Sequence, residues 1–158
     1  MSSMLHLVSC RSVTNPIPTI PARPAFGNAA KLNTMRTDFD PAEMGGRSFY
    51  RLLTSVVVPR PIAWVSSVSA AGVENLAPHS FFTIASVNPP VVSFTSVGEK
   101  DSLRNIRETG EFVISLTPED MFEAVNATGT GFAAEVSEFD AAGIAAEPSA
   151  TVRPPRVA

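Results

Sequence analysis

The amino-acid sequence predicts a mainly β domain with helical insertions, built on antiparallel strands. Strand-like segments follow one another across short turn signals, as in hairpins, and further helical patterns lie between the later strands. A repeated βαβ sheet would need a helix after every strand, so an antiparallel barrel fits the pattern better. The 158 residues, 44% hydrophobic and 17% charged, suit one globular core.

A short helix and a hairpin open the predicted domain. Residues 48–54 place their large apolar side chains on one side, which predicts a helical or turn segment. Residues 62–69 are rich in β-forming side chains and end at Ala70-Ala71-Gly72, a hairpin turn signal. We expect the return strand over residues 74–77.

The middle of the chain is apolar and interrupted by prolines. Residues 78–86 follow no regular period and predict a buried loop or short turn. The sequence Asn88-Pro89-Pro90 predicts a sharp turn. Alternation over residues 91–96 predicts a strand with Val92 and Phe94 on one face.

A helix and a strand follow in the second half. Residues 100–108 predict a helix that Asp101 or Ser102 caps and Gly110 ends. Residues 111–116 place Phe112, Ile114 and Leu116 on one face, which predicts a strand.

The last elements are short. Thr117 ahead of Pro118 predicts the N-cap of another helix, which Gly129 ends. We expect a further short helix within residues 135–142 and a loop over residues 148–155. About four good strands are recognisable, whereas an antiparallel barrel of this kind needs about six. We therefore expect the chain to be incomplete at its C-terminus.

Residues 1–36 differ in composition from the rest. They hold four prolines, four basic residues and no acidic residue, and they follow no sustained period. We expect a disordered or spurious extension, with an organellar targeting segment as the alternative. The folded domain is then expected over residues 37–158.

Composition excludes several classes of function. All 15 acidic residues follow residue 36, and an acidic body is a poor partner for a phosphate backbone, which argues against nucleic-acid binding. No apolar run approaches the ~18 residues of a membrane span, and no secretory signal is recognisable. Cys10 is the only cysteine and the two histidines are far apart, so we expect no disulfide, no metal site and a cytoplasmic protein.

Three stretches could bind an anion or a ring. Arg60 lies between two prolines, and Ser66 and Ser67 follow on the next strand, so a cation and two hydroxyls are available to a phosphate. The alternative is an arginine at a surface edge and ordinary strand serines.

The second stretch runs from Asn75 to Phe82. Here Pro78 is expected to interrupt the strand and free nearby backbone N–H and C=O groups, which could line the polar edges of a planar heteroaromatic ring. The alternative is a core loop packed by phenylalanines. His79 beside Ser80 resembles a base with a hydroxyl, but adjacent side chains on an extended chain point apart. A hydrolase is therefore disfavoured, and no G-x-S-x-G elbow occurs in the sequence.

The third stretch is Lys100-Asp101-Ser102, at a predicted helix start. Free N–H groups and the helix dipole attract anions there, and Lys100 adds a positive charge, although Asp101 could cap the helix and compete. From these residues alone, the chain is expected only to bind a phosphorylated aromatic ligand.

Four motifs occur together in a specific order: PRPIAWVSS at 59–67, GVENLAPHSFF at 72–82, NPP at 88–90, and KDSLRNI at 100–106 followed by GEFV at 110–113. In this order and spacing the chain resembles the flavin reductase-like proteins, which have the FMN-binding split-barrel fold. The resemblance covers about residues 37–158.

The resemblance implies a six-stranded antiparallel Greek-key split barrel that forms a homodimer and binds FMN at or near the subunit interface. It places one group of residues near the ribityl phosphate: Arg60, Ser66 and Ser67, with Lys100, Asp101 and Ser102 completing the phosphate end. It places a second group along the flavin ring and chain: Asn75, Ala77, Pro78, His79 and Ser80. It implies no catalytic side chain and no metal.

The activity that the resemblance implies is hydride transfer from NADH or NADPH to flavin N5, with the flavin performing the chemistry. Some members of the family supply reduced flavin to a partner monooxygenase. The alternative is an FMN-binding module for electron transfer without nicotinamide-dependent activity, and a third possibility is an incomplete, inactive gene product.

Overall fold

The structure, a computed structural model, describes residues 37–158. The prediction for residues 1–36 therefore lies outside the described residues. Two helices, α1 (Pro41–Met44) and α2 (Gly46–Val56), belong to a unit of their own that ends at Val58. The helix predicted over residues 48–54 is confirmed and is longer than expected.

The second unit starts at Pro59 and holds all the described strands. Its elements, in chain order, are β1 (Ala63–Val68), β2 (Glu74–His79), β3 (Phe82–Ser86), β4 (Val91–Phe94), α3 (Asp101–Thr109), β5 (Val113–Leu116), a 3-10 turn (Glu119–Met121), α4 (Phe122–Ala127), α5 (Glu138–Ala141), β6 (Ala146–Glu147) and β7 (Arg156–Val157). No helix among residues 37–158 has the length and apolar character needed to cross a bilayer.

The central sheet has the order β2-β1-β5, and both pairings are antiparallel. The predicted hairpin is confirmed: Ala63 pairs with His79 at one end and Val68 with Glu74 at the other. Gly72 in the connecting turn has a φ of 88°, which glycine adopts without a Cβ clash. All six residues of β1 are buried, because both faces of this strand are covered.

The two faces of the sheet carry different cores. On one face Ala63 and Val65 pack with residues of α3, β4 and β5. On the other face Trp64 and Leu76 pack with Phe139 and side chains of α4. Successive residues of a strand point to opposite faces, so odd-numbered positions of β1 and β2 face α3 and even-numbered positions face α4.

The loop predicted over residues 78–86 is wrong. β2 continues through Pro78 to His79, and β3 begins at Phe82. The expected interruption at Pro78 does not occur because β2 is an edge strand of its sheet. The Leu76 N–H, two residues earlier, points away from β1 to Glu138, so the missing N–H of Pro78 costs no ladder bond.

β3 and β4 form a separate antiparallel pair in which Phe82 lies opposite Phe94. The turn predicted at residues 88–90 is confirmed, and Val92 and Phe94 pack against the core as expected. The strand is shorter than the predicted 91–96, because it ends at Phe94.

The predicted helix boundaries agree with the structure better than the predicted helix caps do. Gly110 ends α3 in the left-handed region, at a φ of 72°, as predicted. The predicted side-chain caps are wrong: Lys100 is the N-cap of α3, and Pro118, not Thr117, precedes the 3-10 turn. The last predicted helix forms as the four-residue α5.

The described strands do not close into a barrel. They form three antiparallel sheets, of three, two and two strands, and β6 and β7 are only two residues long. The antiparallel class with helical insertions is therefore confirmed, whereas a closed six-stranded Greek-key barrel is not formed by residues 37–158.

Candidate functional site

One face of β2 lies against the start of α3. Asn75, Ala77 and His79 occupy alternate positions of this strand and share the face that α3 covers. The side chain of Ser102, in the first turn of α3, donates a hydrogen bond to Asn75 Oδ1 over 2.9 Å. The structure thus brings the second and third predicted stretches together.

Asn75 is the centre of a buried polar network. Its Oδ1 accepts from Ser102 and also from Ser67 Oγ, at 3.1 Å. Asn105, one turn further along α3, donates from Nδ2 to Ser67 Oγ over 3.3 Å. These side chains are at most 6% exposed, so their polar atoms depend on one another for partners.

The network reaches Glu138 at the open edge of β2. Glu138 Oε2 accepts from Asn75 Nδ2 at 2.9 Å and from the Leu76 backbone N–H at 3.0 Å. Glu138 is only 4% exposed. Its carboxylate therefore supplies the acceptor that an edge strand lacks on its outer side.

His79 ends β2 in an apolar and positively charged environment. Its ring stacks at a tilt on Phe94, with 4.8 Å between centroids, and its Nε2 is buried with no hydrogen-bond partner among the described residues. Burial lowers the pKa of His79 below the ordinary 6.5, a backbone hydrogen bond at Thr95 partly offsets this, and the Lys100 charge lowers it further.

The first turn of α3 combines backbone N–H groups with a lysine side chain. No side chain from the described part of the chain caps it, and the predicted competitor, Asp101, instead forms an ion pair with Arg104 at 2.6 Å. The side chain of Lys100, the N-cap residue, adds a positive charge at the same point. This nine-residue helix thus presents N–H groups and a cation together.

The other predicted residues lie elsewhere around the sheet. Ser66 is fully buried on the opposite face and donates to the carbonyl of Pro155. Arg60 is half-buried just ahead of β1, at the sheet end where Ala63 pairs with His79. These two residues are therefore not part of the polar network around Asn75.

Pro78 and Ser80 line a pocket of about 730 Å³ on the face of the sheet that α4 covers. Its walls are largely apolar and include Ile62, Pro118, Phe122 and Val125. A pocket of this size and character suits a planar ring. The predicted residues are thus divided between this pocket and the α3 side of β2.

Two residues of the network escaped the sequence analysis. Asn105 follows Ser102 at helical i+3 spacing, so a polar pair on the inner face of α3 was a usable signal. Glu138 carries no such signal, because its partners lie more than 60 residues away in the chain.

The lowered pKa of His79 predicts a pH-dependent stability. Because the unfolded state binds a proton at His79 more readily than the folded state, the contribution of neutral His79 to stability is fully present above pH 6.5. That contribution is lost as the pH falls below 6.5 toward the lowered folded-state pKa. We expect the urea concentration at the unfolding midpoint to decrease when the pH is lowered from about 7.5 to about 5.5. We expect this decrease to be smaller in His79→Asn. His6→Asn, at the other histidine, is the control. An equal fall in wild type and His79→Asn would contradict the assignment.

Solved structures of other proteins share this architecture. The chain is 35% identical to the 2-nitrobenzoate 2-nitroreductase of Pseudomonas fluorescens, with a TM-score of 0.70 over 77% of this chain and 59% of that one. It is 34% identical to component B of the nitrilotriacetate monooxygenase of Bacillus cereus, with a TM-score of 0.73 over 78% and 63%. A split-barrel-domain protein of Shewanella frigidimarina, 20% identical at a TM-score of 0.67, shows the fold alone.

Curated bacterial relatives give a similar picture. An uncharacterized protein of Aquifex aeolicus is 39% identical over 125 residues, which are 76% of this chain and 64% of the relative. One from Halalkalibacterium halodurans is 40% identical over 75% of this chain and 59% of its own length. The chain thus spans about three-fifths of the length of these relatives.

The family resemblance drawn from the four motifs is confirmed by a match over a continuous range. The family model described as a flavin reductase like domain matches residues 55–158, which include every strand of the described fold. The chain belongs to the flavin reductase-like family.

Proposed function

We propose that this chain forms part of an FMN-binding oxidoreductase of the flavin reductase type. The family match supports this proposal, and so does one structural observation. The face of β2 that carries His79 meets the first turn of α3 beside Lys100, and no side chain in the described part of the chain caps that turn. Among residues 37–158, that junction combines a cation, helix N–H groups that no side chain caps and a buried ring nitrogen with no hydrogen-bond partner. An anionic, ring-bearing cofactor needs such groups.

The residues fit the phosphate end of FMN. Lys100 supplies positive charge, and the first-turn N–H groups of α3 supply donors that no described side chain occupies. Arg60, at the same end of the sheet as His79, is proposed to add a second positive charge. Asp101 and Ser102 support this turn through Arg104 and Asn75 respectively.

The residues that follow Ala77 fit the ring and chain of the cofactor. We propose that Pro78 and Ser80 contact the ring from the pocket wall, and that the neutral His79 imidazole offers Nε2 to it. Ser66, Ser67 and Asn75 hold the strands on which these groups lie, because their side chains bond within the protein.

When bound, FMN supplies a hydride acceptor at N5, and NADH or NADPH supplies the hydride. The protein then has to bind and orient FMN and the nicotinamide and to exclude water. No side chain has to transfer a proton. We further propose a homodimer and a partner monooxygenase. The Bacillus cereus relative, whose name marks it as one component of a monooxygenase, supports the partner.

The visible absorption spectrum of the purified protein tests the proposal. We expect a yellow protein whose flavin band is retained on gel filtration and bleaches anaerobically when NADH or NADPH is added. A protein that retains no flavin contradicts the proposal. Retained flavin that only an artificial donor or a protein partner reduces favours electron transfer without nicotinamide-dependent activity.

A further inference from the structure

Glu138 is a buried acid that none of the sequence motifs includes, and it accepts hydrogen bonds from the Asn75 amide and from the Leu76 backbone N–H of β2. We propose that Glu138 is a positioning residue that fixes the orientation of the Asn75 amide and, through it, the first turn of α3. This inference rests on the proposed function, because that turn is the proposed phosphate site.

The argument starts from the two ends of the Asn75 amide. A carboxylate oxygen can only accept hydrogen bonds, so Glu138 Oε2 requires the NH₂ end of Asn75 to face it, at 2.9 Å. The carbonyl end then faces the hydroxyls of Ser67 and Ser102. A flipped amide would place two acceptors against each other at Glu138, so the carboxylate selects one orientation.

The orientation passes from Asn75 to α3. With Oδ1 directed at the helix, Ser102 donates to it, and Asn105 donates to Ser67 Oγ one turn further on. Both helix residues are at most 2% exposed, so water cannot replace these bonds. The backbone of the first turn, including the bond from the Arg104 N–H to the Lys100 carbonyl, is thereby held over β2.

Three substitutions separate this role from a general effect on folding. Glu138→Ala removes the carboxylate acceptor. Glu138→Asp is a milder second variant, because its side chain is one methylene shorter and its carboxylate lies further from Asn75. Glu138→Gln keeps a carbonyl oxygen that can accept from both Asn75 and Leu76, so it is expected to restore the wild-type properties. Asp140→Asn removes an exposed carboxylate from the same helix and is the control.

The first readout needs no ligand. Hydrogen exchange at the Arg104 amide is expected to be about fivefold faster in Glu138→Ala, to be intermediate in Glu138→Asp, and to be unchanged in Glu138→Gln and Asp140→Asn. Unchanged exchange in both Glu138→Ala and Glu138→Asp would overturn the inference. This result stands even if the wild-type protein binds no FMN, an outcome that would reject the proposed function alone.

The second readout compares FMN with riboflavin, which lacks the phosphate. In Glu138→Ala the dissociation constant for FMN is expected to rise about fivefold, the loss of about one hydrogen bond, while that for riboflavin changes little. Glu138→Gln is expected to restore the FMN value. Equal losses for both ligands, or no rescue by glutamine, would reduce Glu138 to a general structural residue and overturn the proposal.

Discussion

Replacing Trp64 with alanine is expected to destabilise the strand-bearing unit by about 3–5 kcal/mol, the range for large aromatic residues in packed cores. Trp64 is fully buried on the central strand and packs against Leu76 and Phe139. Its Nε1 also donates to Thr128 Oγ1 over 2.8 Å, so the substitution leaves a cavity and an unused acceptor. Urea denaturation followed by circular dichroism measures the effect.

Two variants separate the packing of Trp64 from its hydrogen bond. Thr128→Val leaves the indole N–H without its acceptor and is expected to cost about 1–3 kcal/mol, less than the loss of the ring. Phe122→Ala, at an aromatic side chain that is 69% exposed, is expected to change stability by less than about 0.5 kcal/mol. A Trp64→Ala protein as stable as Phe122→Ala would contradict the placement of Trp64 in the core.

Replacing Lys100 with alanine is expected to weaken FMN binding by about 1.5–3 kcal/mol, which corresponds to about a 10- to 150-fold rise in the dissociation constant. The physical reason is the loss of a positive charge beside a helix start that no side chain of residues 37–158 caps. Arg60→Ala is expected to have an effect of similar size if the arginine contacts the phosphate. Fluorescence titration with FMN measures both changes.

The matched control for Lys100 is Arg153→Ala. Arg153 is an exposed base that pairs with Glu111, and Glu111 lies just beyond the C-terminal end of α3. The helix rises about 14 Å between Lys100 and that end. Its removal is expected to leave FMN binding unchanged. Riboflavin is the ligand control, because Lys100→Ala should hardly change its affinity. If Lys100→Ala and Arg153→Ala retain FMN equally, Lys100 does not bind the phosphate.

Local pattern predicted the elements whose signals do not depend on tertiary context. The hairpin of β1 and β2 follows from β-forming residues around a glycine that adopts a positive φ, and α3 ends at Gly110 for the same steric reason. β3 was missed because residues 82–86 follow no regular period, and the end of β2 was missed because Pro78 looked like an interruption. The edge position that makes this proline acceptable is a property of the sheet.

The candidate site was predictable in its residues more than in its arrangement. Asn75, Ser67 and Ser102 were selected from sequence as cofactor contacts, and the structure shows their hydroxyl and amide groups bonded to one another. Glu138 could not be found, because only the folded chain brings α5 to the edge of β2. Sequence patterns identify polar groups near a site, but the partners of those groups depend on the packing of distant segments.

A crystal structure of the protein soaked with FMN tests the central claim most directly. The account predicts that the phosphorus lies within hydrogen-bonding reach of the first-turn N–H groups of α3 and beside the Lys100 ammonium, with the ring toward Pro78 and Ser80. An FMN molecule bound elsewhere, with its phosphate in contact with neither Lys100 nor α3, would contradict it.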